Sequence, residues 1–138
     1  MRVVADTNVI VSALLWGGTP RRLLDAAEKG KLELFTSRAL ISELEDVLLR
    51  EKFAERLQKT RFTPAFLLSR YTQLATLIVP TETSTPDLRD RDDEAVLACA
   101  LAARAELVVS GDDDLRALGS YRGIAIVSPA ECLLRVPA

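Results

Sequence analysis

The sequence predicts an α/β fold: a three-layer α/β/α sandwich around a central parallel sheet of about five strands. Three observations predict it. Short apolar runs rich in β-branched residues alternate along the chain with longer segments of helical periodicity. Within those runs polar and apolar residues do not alternate, as strands covered on both faces require. An alanine-rich segment, 95–103, suits a helix packed closely on a sheet. The 138 residues, 49% of them hydrophobic, suit one domain over 1–138 with one core, and a 28% charged content argues against disorder.

The elements follow in order. Arg2–Ala5 (RVVA) reads as a buried strand, and Asn8–Leu15 as a short helix closed by Gly17-Gly18. Thr19-Pro20 carries the cap-plus-proline signature of a second helix, running to about Lys29 with Gly30 as its stop. Leu32–Phe35 is the second strand. Thr36 or Ser37 caps the next helix, to about Arg50, with Leu40, Ile41, Leu44, Val47 and Leu48 at helical spacing. Lys52–Leu57 continues as a helical arm, and Thr63-Pro64 opens another helix, so the arm covers about 50–76. Leu77–Val79 is the third strand. Residues 80–92 form a polar ordered loop, and Asp92 or Asp93 opens the alanine-rich helix to Arg104. Leu107–Ser110 is the fourth strand, followed by a short helix near Asp114–Leu118. Ile124–Val127 is the fifth, and Pro129 starts a closing helix.

Composition excludes several kinds of chemistry. The chain has no histidine, which removes a Ser-His-Asp triad, a histidine general base and any zinc site with histidine ligands. Chemistry falls to carboxylates, hydroxyls, Lys or Arg, a donor set suited to hard cations. Cys99 and Cys132 lack CxxC spacing and read as buried free thiols. A net charge of −2 gives no overall attraction to a polyanion, so a nucleic acid would need a local basic strip and metal ions. No apolar run is long enough to span a bilayer and the N-terminus does not read as a signal peptide, so a cytoplasmic protein is expected. Without GxxxxGK[ST] or GxGxxG, nucleotide binding by a glycine loop is not expected.

In open α/β sheets, ligands bind beyond the carboxyl ends of the strands, where strand order reverses. Asp6 ends strand one, Asp112 follows strand four, and Asp93 lies in the first turn of the helix leading into strand four. Glu43, two turns into the helix after strand two, would reach the same edge. Such carboxylates repel unless a divalent cation joins them, and Mg²⁺ or Mn²⁺ suits oxygen ligands that retain waters. That arrangement supports phosphodiester hydrolysis without histidine. Each acid also has a plainer role. Asp6 and Asp93 would serve as helix caps, Glu43 as a solvated helix residue, and Asp112-Asp113-Asp114 as a turn with a cap. Asp92 and Asp90 compete with Asp93, while Asn8 and Ser110 would orient ligands or a water, or merely cap.

Four segments carry a resemblance: VVADTNVI at 3–10, SRALISEL at 37–44, DDEAVLACA at 92–100 and VVSGDDDL at 108–115. In order and spacing they resemble the four acidic motifs of the PIN-domain family. The resemblance implies a Mg²⁺- or Mn²⁺-dependent ribonuclease. It assigns Asp6, Glu43, Asp93 and Asp112 as catalytic metal ligands, with Asn8, Ser110, Asp114 and Asp92 in support. The small size resembles the VapC-like toxin components of bacterial toxin–antitoxin pairs, which implies a homodimer and a small antitoxin partner. A catalytically inactive metal- or RNA-binding module, or an RNA-processing nuclease that is not a toxin, are the alternatives. Candidate RNA contacts are Arg21, Arg22 and Arg38 near the strand ends, and Arg50, Lys52, Arg56, Lys59 and Arg61 on the arm. Trp16 would stack on a base, or pack in the core or at a dimer seam.

Overall fold

Strand β1 (Arg2–Ala5) feeds helix α1 (Thr7–Leu15) directly, because Asp6 between them adopts an extended conformation and accepts the Val9 N–H as an N-cap. The structure, a computed structural model, describes residues 1–80 and 91–137, without the side chains of Arg91 and Asp92. The remaining elements are α2 (Gly18–Glu28), β2 (Glu33–Ser37), α3 (Arg38–Leu48), α4 (Ala54–Thr60), α5 (Pro64–Leu74), β3 (Thr76–Ile78), α6 (Arg91–Ala103), β4 (Leu107–Val109), α7 (Asp113–Arg116), β5 (Ser120–Tyr121), β6 (Ile124–Val127) and α8 (Pro129–Arg135).

The sheet order is β3-β2-β1-β4-β6-β5. Every pairing is parallel except β5 with β6, so the five expected strands form a parallel sheet and a sixth adds an antiparallel edge. That edge strand has only two residues, and Gly123, at φ +85°, turns it back onto β6. Chain order runs outward in one direction from β1 to β3 and in the other from β4, so the strand order reverses between β1 and β4.

Successive strand residues face opposite sides of the sheet, and the core divides accordingly. Val3, Ala5, Leu34, Leu107, Val109 and Val127 join Leu15, Leu23, Leu44, Leu48, Leu67 and Cys132 from α1, α2, α3, α5 and α8. Val4, Phe35, Val108, Ile124 and Ile126 join Val96, Leu97, Cys99, Ala100 and Ala103 from α6, with Leu115 from α7. The alanines let α6 lie close against β1, β2 and β4. This is the three-layer arrangement expected. Both cysteines are buried free thiols, and burial pushes Cys99 up to about 12 and Cys132 to about 11.

Several boundaries differ from expectation. Helix α2 starts at Gly18 rather than after a Thr19 cap. Gly18, at φ +71°, takes a left-handed conformation that turns the chain from α1 into α2 early, and Thr19 falls inside the helix. The arm is not a continuation of α3. Extended backbone at Arg50 interrupts it, a 3₁₀ turn covers Glu51–Phe53, and Arg61, at φ 63°, ends α4. Ser37, rather than Thr36, caps α3, and Thr63 caps α5 as expected. Helix α6 begins at Arg91, ahead of both expected caps. Of the polar loop expected at 80–92, residues 81–90 lie outside the described part, Asp90 among them. Among the described residues no helix is long and apolar enough to cross a membrane.

Candidate active site

The carboxyl ends of β1 and β4, where strand order reverses, are joined by one buried side chain. Ser110, 0% exposed, donates its hydroxyl proton to Oδ2 of Asp6 and accepts the Asp112 N–H at 2.9 Å. Asp6 itself is only 8% exposed. Its Oδ1 accepts the Val9 N–H at 2.9 Å, and its own N–H continues the ladder to the Val109 carbonyl, also at 2.9 Å. Asp112 caps α7, with Oδ1 accepting the N–H groups of Asp114 at 2.8 Å and Leu115 at 3.4 Å. The segments that follow β1 and β4 thus share one hydrogen-bonded seam.

A pocket opens on this seam, lined by Asp6, Thr7, Asn8, Glu43, Asp93, Val96 and Asp112. Glu43 arrives on α3 after β2, and Asp93 on the first turn of α6. Four carboxylates from four parts of the chain therefore line one cavity. Asp93 lines it while the Asp92 side chain lies outside the described residues. Ser110 sits beneath the pocket as a brace. Asp114 contributes a backbone N–H to Asp112 and is not part of the lining.

Burial pushes the Asp6 carboxyl upward from its ordinary value. The hydrogen bonds from Ser110, Val9 and Gly111 pull it back, and the charge of Asp112 raises it further. A buried acid beside another acid is what a cation would relieve. The donor set is all hard oxygen, which fits Mg²⁺ or Mn²⁺. As placed, no three acidic or thiol side chains among the described residues stand close enough to hold a metal ion. The hydrogen bonds explain part of this spacing: Asp6 commits both oxygens, and Asp112 one, to the seam. Each carboxylate oxygen retains a further lone pair that a bound cation would use.

None of the basic candidates lines this pocket. Arg21 pairs with Asp25 at 3.6 Å, and Arg22 lines a groove with Lys29, Lys31 and Leu133. Lys52 lies over the Phe53 ring, and Lys59 pairs with Glu55 at 3.8 Å. Arg56 donates to the Leu15 carbonyl and lies over the Trp16 ring at 5.4 Å, which ties the arm to the end of α1. Trp16 is 48% exposed, outside the core, with its edge against Phe53. Arg38 is exposed at the start of α3, on the carboxyl edge of β2.

The sequence matches the PIN domain family over residues 2–114, a span that contains all four acids. The chain belongs to the PIN-domain family. PIN domains are typically nucleases, bind nucleic acid and generally use divalent metals. No curated protein matches this PIN-domain chain.

Sequence reasoning passed over one lining residue. Thr7 is 5% exposed, and its Oγ1 is buried without a hydrogen-bond partner. Its signal was its position between Asp6 and Asn8, both of which were singled out.

Proposed function

We propose that this PIN domain is a Mg²⁺- or Mn²⁺-dependent ribonuclease and the toxin of a bacterial toxin–antitoxin pair. The observation that carries the reading is the shared pocket of Asp6, Glu43, Asp93 and Asp112 at the reversal point of the sheet, in a chain without histidine. Those four acids would hold the cation. Bound there, a divalent ion supplies charge neutralisation and lowers the pKa of a coordinated water.

The chain's own groups do the rest. Ser110 fixes the Asp6 carboxylate in one orientation, so little reorganisation accompanies binding. The α7 N-terminus steadies Asp112 through two N–H groups. Asn8, exposed on the rim, is placed to orient a water or an RNA group. Arg38 offers a cation on the same edge of the sheet. The toxin role, with a homodimer and a small antitoxin that would cover the pocket, rests on the family resemblance alone.

The test uses purified protein freed of any co-purifying partner. Single-stranded RNA is cut with Mg²⁺ or Mn²⁺, and cleavage stops with EDTA and in the folded Asp6→Asn variant. Wild-type protein that binds Mn²⁺ and never cuts RNA sinks the enzyme reading. Induction in bacterial cells arrests growth if the toxin role holds. Cleavage in vitro with undisturbed growth identifies an RNA-processing nuclease instead.

A further inference from the structure

We propose that Ser37 is a positioning residue of the acidic pocket. It ties the start of α3, which carries Glu43, to Cys99 of α6, which carries Asp93, and so sets how those two acids meet a cation. The proposal rests on the metal-dependent reading of the pocket for its ligand, and on the bonds of Ser37 for its evidence.

Ser37 ends β2 and is 1% exposed. Its Oγ accepts the Leu40 N–H at 3.3 Å, which caps α3. The hydroxyl proton remains, and it goes to the Cys99 thiol of α6, on the side of the sheet that Phe35 also faces. A helix cap needs only the first of these bonds. Ser110, at the end of β4, makes the same pair: it accepts a backbone N–H from the segment that follows and gives its proton to a side chain of another element. There the bonds set Asp6 and Asp112 directly. At β2 they join the two helices that bear the other acids.

Glu43 lies six residues beyond Ser37, and Asp93 six residues before Cys99. Each acid is thus about 9 Å along a helix from the link. Leu40 of α3 packs with Val96 and Cys99 of α6 in one cluster, so the two helices meet around it. Thr36, on the opposite face of β2, shares a hydrogen bond with Tyr71 of α5. The end of β2 is therefore pinned from both layers, and movement of α6 against α3 is resisted there. Where oxygen ligands come from separate helices, their spacing decides how well one ion is held.

The test measures Mn²⁺ binding without RNA, by the electron paramagnetic resonance signal of free Mn²⁺, beside thermal unfolding in EDTA. Cys99→Ala keeps the α3 cap and removes only the link to α6. Its Mn²⁺ dissociation constant rises about threefold or more, short of the roughly 10–100-fold typical when a group bonded directly to a ligand is lost. Cys99→Ser restores a partner for the Ser37 proton and returns the affinity to within about twofold of wild type. Cys132→Ala, at an equally buried cysteine of α8 outside the pocket lining, lowers the melting temperature and leaves Mn²⁺ affinity unchanged. Ser37→Gly breaks the link from the other side at little cost to the cap. Adding Cys99→Ala to it weakens Mn²⁺ binding no further, as two ends of one interaction require. Four results overturn the proposal: unchanged Mn²⁺ affinity in Cys99→Ala, an equal loss in Cys132→Ala, no rescue by serine, or additive losses in the double variant. If wild type binds Mn²⁺ and cuts no RNA, the nuclease reading fails and these affinities still decide the role of Ser37. If wild type binds no Mn²⁺, both fail.

Discussion

The buried hydroxyl of Ser110 donates to Oδ2 of Asp6, a contact that spans 104 positions of sequence and joins the carboxyl ends of β1 and β4. The Ser110 hydroxyl oxygen in turn accepts the Asp112 N–H, so two acids of the pocket are set by one side chain. This brace separates orienting an acid from being one, and it makes the first prediction.

Ser110→Ala leaves Asp6 Oδ2 and the Asp112 N–H without their shared partner. Loss of a buried hydrogen bond of this kind costs about 1–3 kcal/mol, read by urea denaturation. Metal-dependent cleavage falls about 10–100-fold, because a supporting group of a metal site is lost while all four acids remain. A Ser110→Ala enzyme with undiminished activity would show that Asp6 needs no orienting partner.

Asp6→Asn gives the opposite pattern, with activity lost and stability kept. Burial raises the Asp6 carboxyl in the folded protein, so the native state holds this proton more tightly than the unfolded chain. The metal-free wild type is therefore favoured by Asp6 below its unfolded value, and that contribution is lost as pH rises through the folded value. Asparagine keeps the cap on Val9 and carries no charge. In EDTA at pH 8, Asp6→Asn melts no lower than wild type, and its relative advantage shrinks as the pH is lowered toward 4. A large drop in melting temperature at pH 8 would mean that the ionised carboxylate holds the fold together.

Much of this organisation was legible in the sequence. The caps Ser37 and Thr63 stand before their helices with the side-chain chemistry that makes them visible, and both accept the expected N–H. Asp6 and Asp112 followed from strand ends alone, because a parallel sheet aligns its carboxyl edges. Strand β5 was not legible. Two residues, Ser120 and Tyr121, carry no periodicity, and they are a strand only because β6 is there to pair with. The break at Arg50 was hidden for a related reason: Lys52–Leu57 has helical character, while the extended backbone before it comes from how the arm folds back on α1. Thr7 went unremarked because threonine in a first helical turn is ordinary until its hydroxyl is seen to have no partner.

Arg56 illustrates how a basic residue on a helix is reassigned by its contacts. Its guanidinium meets the Leu15 carbonyl at the end of α1 and the face of Trp16. Arg56→Ala lowers the melting temperature by about 3–6 °C, for the loss of a charged hydrogen bond and a cation–π contact worth about 1–2 kcal/mol together. KM for RNA stays within about twofold of wild type, measured by initial rates. A large rise in KM with unchanged stability would make Arg56 a substrate contact.

The central claim is that four acids from β1–α1, α3, α6 and the α7 cap work as one metal-dependent site. Initial rates of single-stranded RNA cleavage in Mn²⁺ test it most directly, across wild type, Asp6→Asn, Glu43→Gln, Asp93→Asn and Asp112→Asn. Each variant, folded by circular dichroism, is expected to lose at least about 100-fold, as groups that act as a unit do. Near wild-type rates in Glu43→Gln and Asp93→Asn would contradict the claim, leaving only the Asp6–Ser110–Asp112 seam.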